Sequence, residues 1–259
     1  MGVLQQIIDN KRREIESLTV PPGSKFEPRP VELRRSVTGR FSLISEIKLR
    51  SPSAGALSRT LNVSERARAY ADAGASLISV LCDERYFDGS FLHLERAREA
   101  CDVPLLCKEF VLDEIQLEIA RAHGADAILL IVRCLEPAKL EALLQAALRL
   151  GLFPLVEAHT PAEAALAVEL GAQCIGVNAR DLDRLEMDRE RAAKIIAELP
   201  EHVTRLHLSG VRNESDIEEL LRSRADGALI GETLMRADDP RPVLGRLVRA
   251  ARGETVVST

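Results

Sequence analysis

The chain has no tryptophan, only 3% aromatic residues and five cysteines among 259 residues. So few rings leave no stacking platform of the kind that holds single-stranded nucleic acid. There is no excess of positive charge either. Thirty-five Lys and Arg stand against 40 Asp and Glu, a formal net charge of −5, so the electrostatic footprint of a nucleic-acid binder is missing as well. Cys82, Cys101, Cys107, Cys134 and Cys174 are odd in number and form no Cys-x-x-Cys pair. Most lie in or beside apolar runs, where a free thiol behaves as a small hydrophobe. The histidines, at 93, 123, 159, 202 and 207, show no His-x-x-x-His or His–Cys grouping, and no metal site is expected. No apolar run approaches the roughly 18–20 residues of a membrane span. Met1 to Lys11 lacks the basic start, apolar stretch and small-residue cleavage site of a secretory signal. These absences predict a soluble, cytoplasmic protein without membrane contact.

What is present is a long, regular alternation. At 259 residues with 46% hydrophobic content, the chain suits two modest domains or one α/β barrel. Residues 1–18 place Val3, Leu4, Ile7, Ile8, Ile15 and Leu18 among charges, an amphipathic helix. Pro21, Pro22, Gly23, Pro28 and Pro30 then break regularity, so residues 1–40 read as an N-terminal helical extension. From Phe41 the pattern is strand, loop, helix. Strand-like runs cover 41–48, 76–82, 104–108, 126–132, 153–157, 173–178, 204–208 and 226–230. Helix-like runs cover 64–73, 90–100, 113–122, 136–150, 161–170, 188–198, 213–223 and 240–251. Thr160-Pro161-Ala-Glu163 marks one helix start with a capping Thr, a Pro at N1 and a Glu at N3, and Asp113 and Asn213 offer further caps.

A loose repeat supports the count. Gly74-Ala-Ser-Leu-Ile, Gly124-Ala-Asp-Ala-Ile and Gly171-Ala-Gln-Cys-Ile each end a helix and open a strand, with Arg224-Ala-Asp-Gly-Ala-Leu-Ile a looser fourth copy. The intervals of 50, 47 and 53 residues are each the length of two strand–helix units. Four double units make eight strands in parallel, right-handed succession. The predicted fold class is α/β, a (β/α)8 TIM barrel over residues 41–252 as a single catalytic domain, with a C-terminal tail at 253–259. An open doubly wound sheet would usually begin with a Gly-rich fingerprint after its first strand, and Lys48 to Gly55 has only one glycine.

Barrel sites lie at the C-terminal ends of the strands. Glu46 and Lys48, two apart and therefore on one strand face, end the first run. Taken alone, the pair reads equally well as a surface salt bridge or as the edge of a site. Collecting the other strand ends adds Lys108, Glu157 and Asn178, then Ser209 and Gly210, and Gly231. Unpaired charges converging inside a barrel are costly, so this set points to acid and base partners. Ser-Gly after the seventh strand and Ile-Gly-Glu-Thr (with Glu232) after the eighth stand where barrels bind phosphate through backbone N–H groups, and Ser51 offers a hydroxyl. A phosphorylated small molecule is the predicted partner.

Seven ordered motifs carry a resemblance. They are Ser-Glu-Ile-Lys-x-x-Ser-Pro-Ser, Val-Leu-Cys-Asp-x-x-Tyr-Phe-Asp-Gly-Ser, Pro-Leu-Leu-Cys-Lys-Glu-Phe, Leu-Val-Glu-Ala-His, Gly-Val-Asn-Ala-Arg-Asp-Leu, Leu-Ser-Gly-Val and Leu-Ile-Gly-Glu-Thr-Leu-Met. In this order the chain resembles the indole-3-glycerol-phosphate synthase family of tryptophan biosynthesis, from about Ser42 to Leu247 and including the helical extension. The resemblance implies a cofactor-independent carboxy-lyase. Its substrate would be 1-(o-carboxyphenylamino)-1-deoxyribulose 5-phosphate, converted to indole-3-glycerol phosphate with release of carbon dioxide and water. It implies Lys108 as general acid for ring closure, Lys48 and Glu157 for the dehydration, Glu46 holding Lys48, and Asn178 orienting the intermediate. Arg180 and Leu182 match the pattern near the substrate. Ser51, Ser209, Gly210, Gly231 and Glu232 match the phosphate side, and Phe87 and Phe110 form the slot for the aromatic ring. A monomer or weak homo-oligomer is expected.

The chain also departs from that family. Leu208 stands where a glutamate is usual, Asp88 where Gly or Asn is usual, Leu49-Arg50 replaces a more basic pair, and Glu109 replaces Asp. Leu208 leaves two other readings open: a paralogue with altered substrate or weak activity, and a phosphate-ligand-binding barrel without catalysis. His207, beside it, should face the opposite side of the strand and pack behind the barrel.

Overall fold

In the computed structural model, which describes residues 2–23, 25–52, 55–57, 60–181 and 186–254, the apolar runs become eight parallel strands. They are β1 (Ser42–Ile47), β2 (Leu77–Leu81), β3 (Leu105–Lys108), β4 (Ala127–Ile131), β5 (Phe153–Ala158), β6 (Cys174–Asn178), β7 (Thr204–Leu208) and β8 (Gly227–Ile230). Each pairs with its neighbour in sequence, and β8 pairs with β1 to close the barrel. An extension helix, α1 (Val3–Ile15), precedes them. The connecting helices are α2 (Val63–Asp72), α3 (Phe91–Ala100), α4 (Glu114–Ala122), α5 (Pro137–Arg149), α6 (Pro161–Glu169), α7 (Arg189–Glu198), α8 (Glu214–Leu221) and α9 (Arg241–Ala251). The eightfold alternation expected from the sequence is therefore present, with ends shifted by a residue or two.

The local signals act as expected. Thr160, Asp113 and Asn213 each accept a backbone N–H at the start of their helices. Gly74, Gly124 and Gly171 take φ of +95°, +90° and +84°, the left-handed turn that sends each helix back into the sheet. Short pieces were not legible: single turns at Arg35–Thr38, Glu84–Phe87 and Glu232–Met235, a 3-10 turn at Val132–Cys134, and a small hairpin pairing Arg50–Ser51 with Gly55–Ala56. Each is too short for periodicity to register.

Strand alternation divides the apolar residues into two cores. Leu43, Ile78, Val80, Leu105, Cys107, Ile128, Val156, Ile175 and Val177 point outward and pack against the helices. Ile44, Leu77, Leu106, Leu129, Leu155, Cys174, Leu206, Leu208 and Leu229 point inward and fill the barrel. Each fully buried aliphatic side chain contributes about 1.5–3 kcal/mol relative to exposure. Cys82, Cys107 and Cys174 are buried and none of the five cysteines forms a disulfide, in keeping with cysteine as a small hydrophobe.

The extension touches both ends of the inner core. Leu4, Ile7 and Ile8 of α1 join it at the C-terminal mouth, and Leu33 joins it from below. Two aspartates opening strands four units apart secure the lower crossing. Asp126 accepts the Arg29 and Leu105 N–H groups and the Arg98 guanidinium. Asp226 accepts those of Arg35 and Arg205 with the Arg205 guanidinium. Both sit in the Gly/Arg-Ala-Asp copies of the repeat, so the repeat serves as an anchor as well as a turn. No helix among the described residues is long and apolar enough to cross a membrane.

Candidate active site

The inward register runs out at the C-terminal ends of the strands in polar residues. Ser42, Ile44 and Glu46 share one face of β1; Leu106 and Lys108 end β3; Leu155 and Glu157 end β5; Cys174, Gly176 and Asn178 end β6. Lys48 lies two residues beyond Glu46, just past the end of β1. Together they line one cavity of about 480 Å³ with Ser51, Phe87, Phe110, Arg180, Leu208, Ser209, Gly210, Gly231 and Glu232. Thirteen of the fourteen residues expected at a site thus meet in one place. Leu182, the fourteenth, lies outside the described residues.

The charges pair one to one. Glu46 Oε1 is 2.7 Å from Lys48 Nζ, and Lys108 Nζ donates to Glu157 Oε2 at 3.0 Å. The other Glu157 oxygen accepts from Asn178 Nδ2 at 2.9 Å, and Asn178 Oδ1 accepts the Arg180 N–H at 3.0 Å. Glu46 is 3% exposed, which excludes the reading of Glu46–Lys48 as a surface salt bridge. Burial pushes its pKa up, but Lys48, Lys108 and Arg180 outweigh burial and hold it below the usual carboxylate range. Burial pushes Lys108 down, but Glu157 and Glu46 outweigh it and hold the ammonium above its ordinary value. At neutral pH Glu46 is therefore an anion and Lys108 a cation, with a proton to donate and a carboxylate beside it.

Leu208 occupies the corresponding inward position of β7, level with Asn178. It is 1% exposed, and it packs so close to Gly176 that a Cβ there would lie 2.6 Å from Leu208 Cδ1. The two lysines already have a carboxylate each, so the set is electrically closed without a third acid. His207 points away, as expected. It is buried with neither nitrogen hydrogen-bonded, and burial pushes its pKa down to about 4.

The glycine-rich side has the geometry of an anion cradle. Ser209 and Gly210 take consecutive positive φ of +73° and +85°, a turn that costs a non-glycine residue about 1–3 kcal/mol and persists only where the surroundings impose it. At Gly231 a Cβ would lie 2.5 Å from Glu46 Oε1, so only glycine lets the Glu46 carboxylate sit there. Glu232 fits its expected role less directly. Its carboxylate pairs with Arg236 at 2.7 Å and faces Arg180 at 3.9 Å, so any contact to an anion would come from its backbone N–H. Arg189 and Arg212, unremarked in the sequence, also line the cavity. Both pair with Asp216.

The opposite wall is apolar. The Phe87 and Phe110 rings lie 6.1 Å apart, tilted by 36°, in contact with each other, and present one aromatic wall against which a flat ring can pack. Val3, Leu4 and Ile7 of α1 line the same cavity, so the extension forms part of the mouth. That contact carries no sequence signal, since an amphipathic helix does not announce what it covers. The other departures also resolve. Asp88 takes φ of +51° as the cap after Glu84–Phe87, a conformation that Asn, Asp and Gly tolerate best. It pairs with Arg50 at 3.1 Å, so its charge is matched and does not stand alone at the mouth. Glu109 is buried against Lys11 of α1 at 3.0 Å.

Comparison with known proteins agrees with this geometry. The family model described as indole-3-glycerol phosphate synthase matches residues 4–247. The chain is 41% identical over 256 residues to the indole-3-glycerol phosphate synthase of Mycolicibacterium vanbaalenii, covering 96% of this chain and 94% of the relative. It is 42% identical over 256 residues to that of Mycobacteroides abscessus, with the same coverage. Among solved structures, 3-hexulose-6-phosphate synthase from Salmonella typhimurium superposes with a TM-score of 0.67 at 12% identity, covering 83% of this chain and all of the other. That last likeness concerns the barrel alone. Matched from its first helix to its last by the family model, and at more than 40% identity by relatives of nearly equal length, this chain belongs to the indole-3-glycerol phosphate synthase family.

Proposed function

We propose that this protein closes the indole ring of 1-(o-carboxyphenylamino)-1-deoxyribulose 5-phosphate, releasing carbon dioxide and water to give indole-3-glycerol phosphate. The observation that carries the reading is the Lys108–Glu157–Asn178 chain facing Glu46–Lys48 across a cavity with an aromatic wall on one side and the Ser209–Gly210 turn on the other. The phosphate lies against the backbone of Ser209, Gly210 and Gly231 with Ser51, and the anthranilate ring lies against Phe87 and Phe110. Residues 41–252 act as the catalytic domain, and residues 1–40 complete its mouth.

In the first step the ring carbon bearing the carboxylate attacks the ribulose carbonyl carbon. Lys108 donates to the carbonyl oxygen as negative charge develops there. The carbon–carbon bond to the carboxylate breaks, carbon dioxide leaves, and its electron pair restores the ring. The hydroxyl formed at the old carbonyl carbon then departs as water, accepting a proton from an ammonium, while the neighbouring methylene carbon, bonded to the ring nitrogen, gives up a proton to a carboxylate and the indole double bond forms. Lys48 and Glu157 serve this step, with Glu46 fixing Lys48. Arg180, level with the hairpin base after β6, steadies the anionic intermediate.

The test is to mix purified protein with this substrate and no added metal or cofactor, and to follow indole fluorescence beside a Leu208→Glu variant. Turnover by the native chain is expected, because every charged residue of the chain of events above is in place without a third acid. The Leu208→Glu variant places a carboxylate in an apolar, 1% exposed position and should lose stability by about 1–3 kcal/mol, read by urea unfolding. Leu208 also favours a second reading, a paralogue diverted to another substrate. Turnover by the variant alone would establish that reading and overturn the first.

A further inference from the structure

The loop leaving β6 after Asn178 carries Arg180 into the mouth and returns to α7. Its base is narrow: Asp188 N donates to Ala179 O and Asp181 N to Glu186 O, both at 2.8 Å, and Arg180 bridges to Met187. Against this base lies a side chain from the neighbouring unit. His159, two residues beyond Glu157 and 7% exposed, places Nε2 3.0 Å from Asp181 Oδ2. Its Nδ1 is 3.0 Å from Arg191 Nη2 and 3.1 Å from Asn178 O. Arg191 Nη2 also donates to Asn178 O, at 2.8 Å.

Two placements of protons fit these contacts, and the surrounding charge favours the neutral ring. The Asp181 carboxylate can only accept, so Nε2 carries hydrogen. A guanidinium can only donate, so in the neutral ring Nδ1 is the bare lone pair that receives Arg191, whereas in the cation Nδ1–H would donate to Asn178 O. A second proton on the ring would set Nδ1–H against the Arg191 guanidinium. The charged groups packed on the ring agree. Arg133, from the turn after β4, is 3.7 Å from Asp181 and 3.0 Å from Glu163. Glu163 of α6 accepts the His159 backbone N–H at 2.6 Å. Arg191 approaches from α7. Burial first, then Arg133 and Arg191, push the imidazole below its ordinary pKa, against smaller opposing pulls from the Asn178 carbonyl and Asp181.

None of these side chains lines the cavity or takes part in the proposed steps. We propose that His159, as the neutral Nε2–H imidazole, is a positioning residue that ties the loop after β6 to the mouth through Asp181. The kinetic consequence rests on the proposed reaction; the tether does not. Lys108 and Glu157 stand on strand ends and keep their places when the loop loosens. Arg180 does not, so substrate binding suffers before chemistry does.

The experiment compares wild type with His159→Ala and His159→Gln. Glutamine places an amide donor near the Nε2 position and cannot be protonated. His159→Ala should raise KM about tenfold with kcat within about threefold, while His159→Gln keeps KM near wild type. Nitrogen-15 NMR of labelled histidine should show His159 as the Nε2–H tautomer at pH 7. Amide exchange at Asp181, relative to unstructured peptide rates, should speed up in His159→Ala but not in His159→Gln. An Nδ1–H or doubly protonated ring at pH 7 would overturn the proposal. So would a folded His159→Ala variant with unchanged KM and Asp181 exchange. If no form turns over the substrate, the proposed reaction fails, while the tautomer and the exchange rates still decide the tether.

Discussion

Replacing Lys108 with methionine lowers kcat/KM for ring closure by about 10³-fold, roughly 4 kcal/mol of transition-state stabilisation, with the circular dichroism spectrum unchanged. Methionine keeps an unbranched chain of similar length, so the inward packing at the end of β3 survives. What it removes is the ammonium 3.0 Å from Glu157, held protonated by Glu157 and Glu46 against the pull of burial. In the proposed reaction that group donates as charge grows on the carbonyl oxygen. Glu157 retains its hydrogen bond from Asn178, so the strand ends stay together. Lys48, paired with Glu46 at 2.7 Å, is already engaged across the cavity and does not substitute. Near-normal turnover by Lys108→Met would show that the acid has been placed on the wrong residue.

Replacing Lys11 with methionine destabilises the fold by about 3–5 kcal/mol, because it leaves buried carboxylates without their cation. Lys11 is 4% exposed, and its ammonium lies 3.0 Å from both Asp83 and Glu109 and 2.6 Å from Glu14. Burial pushes Glu109 up to about 7 even with Lys11 pulling it down. A carboxyl whose folded pKa is raised contributes its stability at low pH and loses it as pH rises through the folded value. Removing Lys11 raises that value further, so the loss should be greater at pH 8 than at pH 6 in urea unfolding. The consequence reaches the site as well. Asp83 caps the turn that carries Phe87 and Glu109 immediately precedes Phe110, so one ammonium of the extension holds both rings of the aromatic wall. Equal stability at both pH values, or no loss at all, would show that the cluster does not hold α1 in place.

Much of this was legible because it is local. Strand and helix periods, the caps Thr160, Asp113 and Asn213, and the glycines at 74, 124 and 171 depend only on nearby residues, and eight repetitions left few ways to close a sheet. Strand alternation then carried Glu46, Lys108, Glu157 and Asn178 inward together, and predicted that His207 would turn away from Leu208. The weight of Leu208 was not legible. Its absence of charge looks like a loss along the chain, but in the barrel the two lysines already hold one carboxylate each. Asp88 and Arg50 likewise looked like separate changes of charge, 38 positions apart, and became one ion pair.

The sequence by itself determined the barrel, the inward set of charged residues and their family, because those follow from periodicity and from motifs at strand ends. Only the tertiary structure decided that α1 walls the mouth through Lys11, that Leu33 closes the floor, and that His159 meets Asp181. These contacts join segments far apart in the chain, and neither periodicity nor composition encodes which distant surface a side chain will reach.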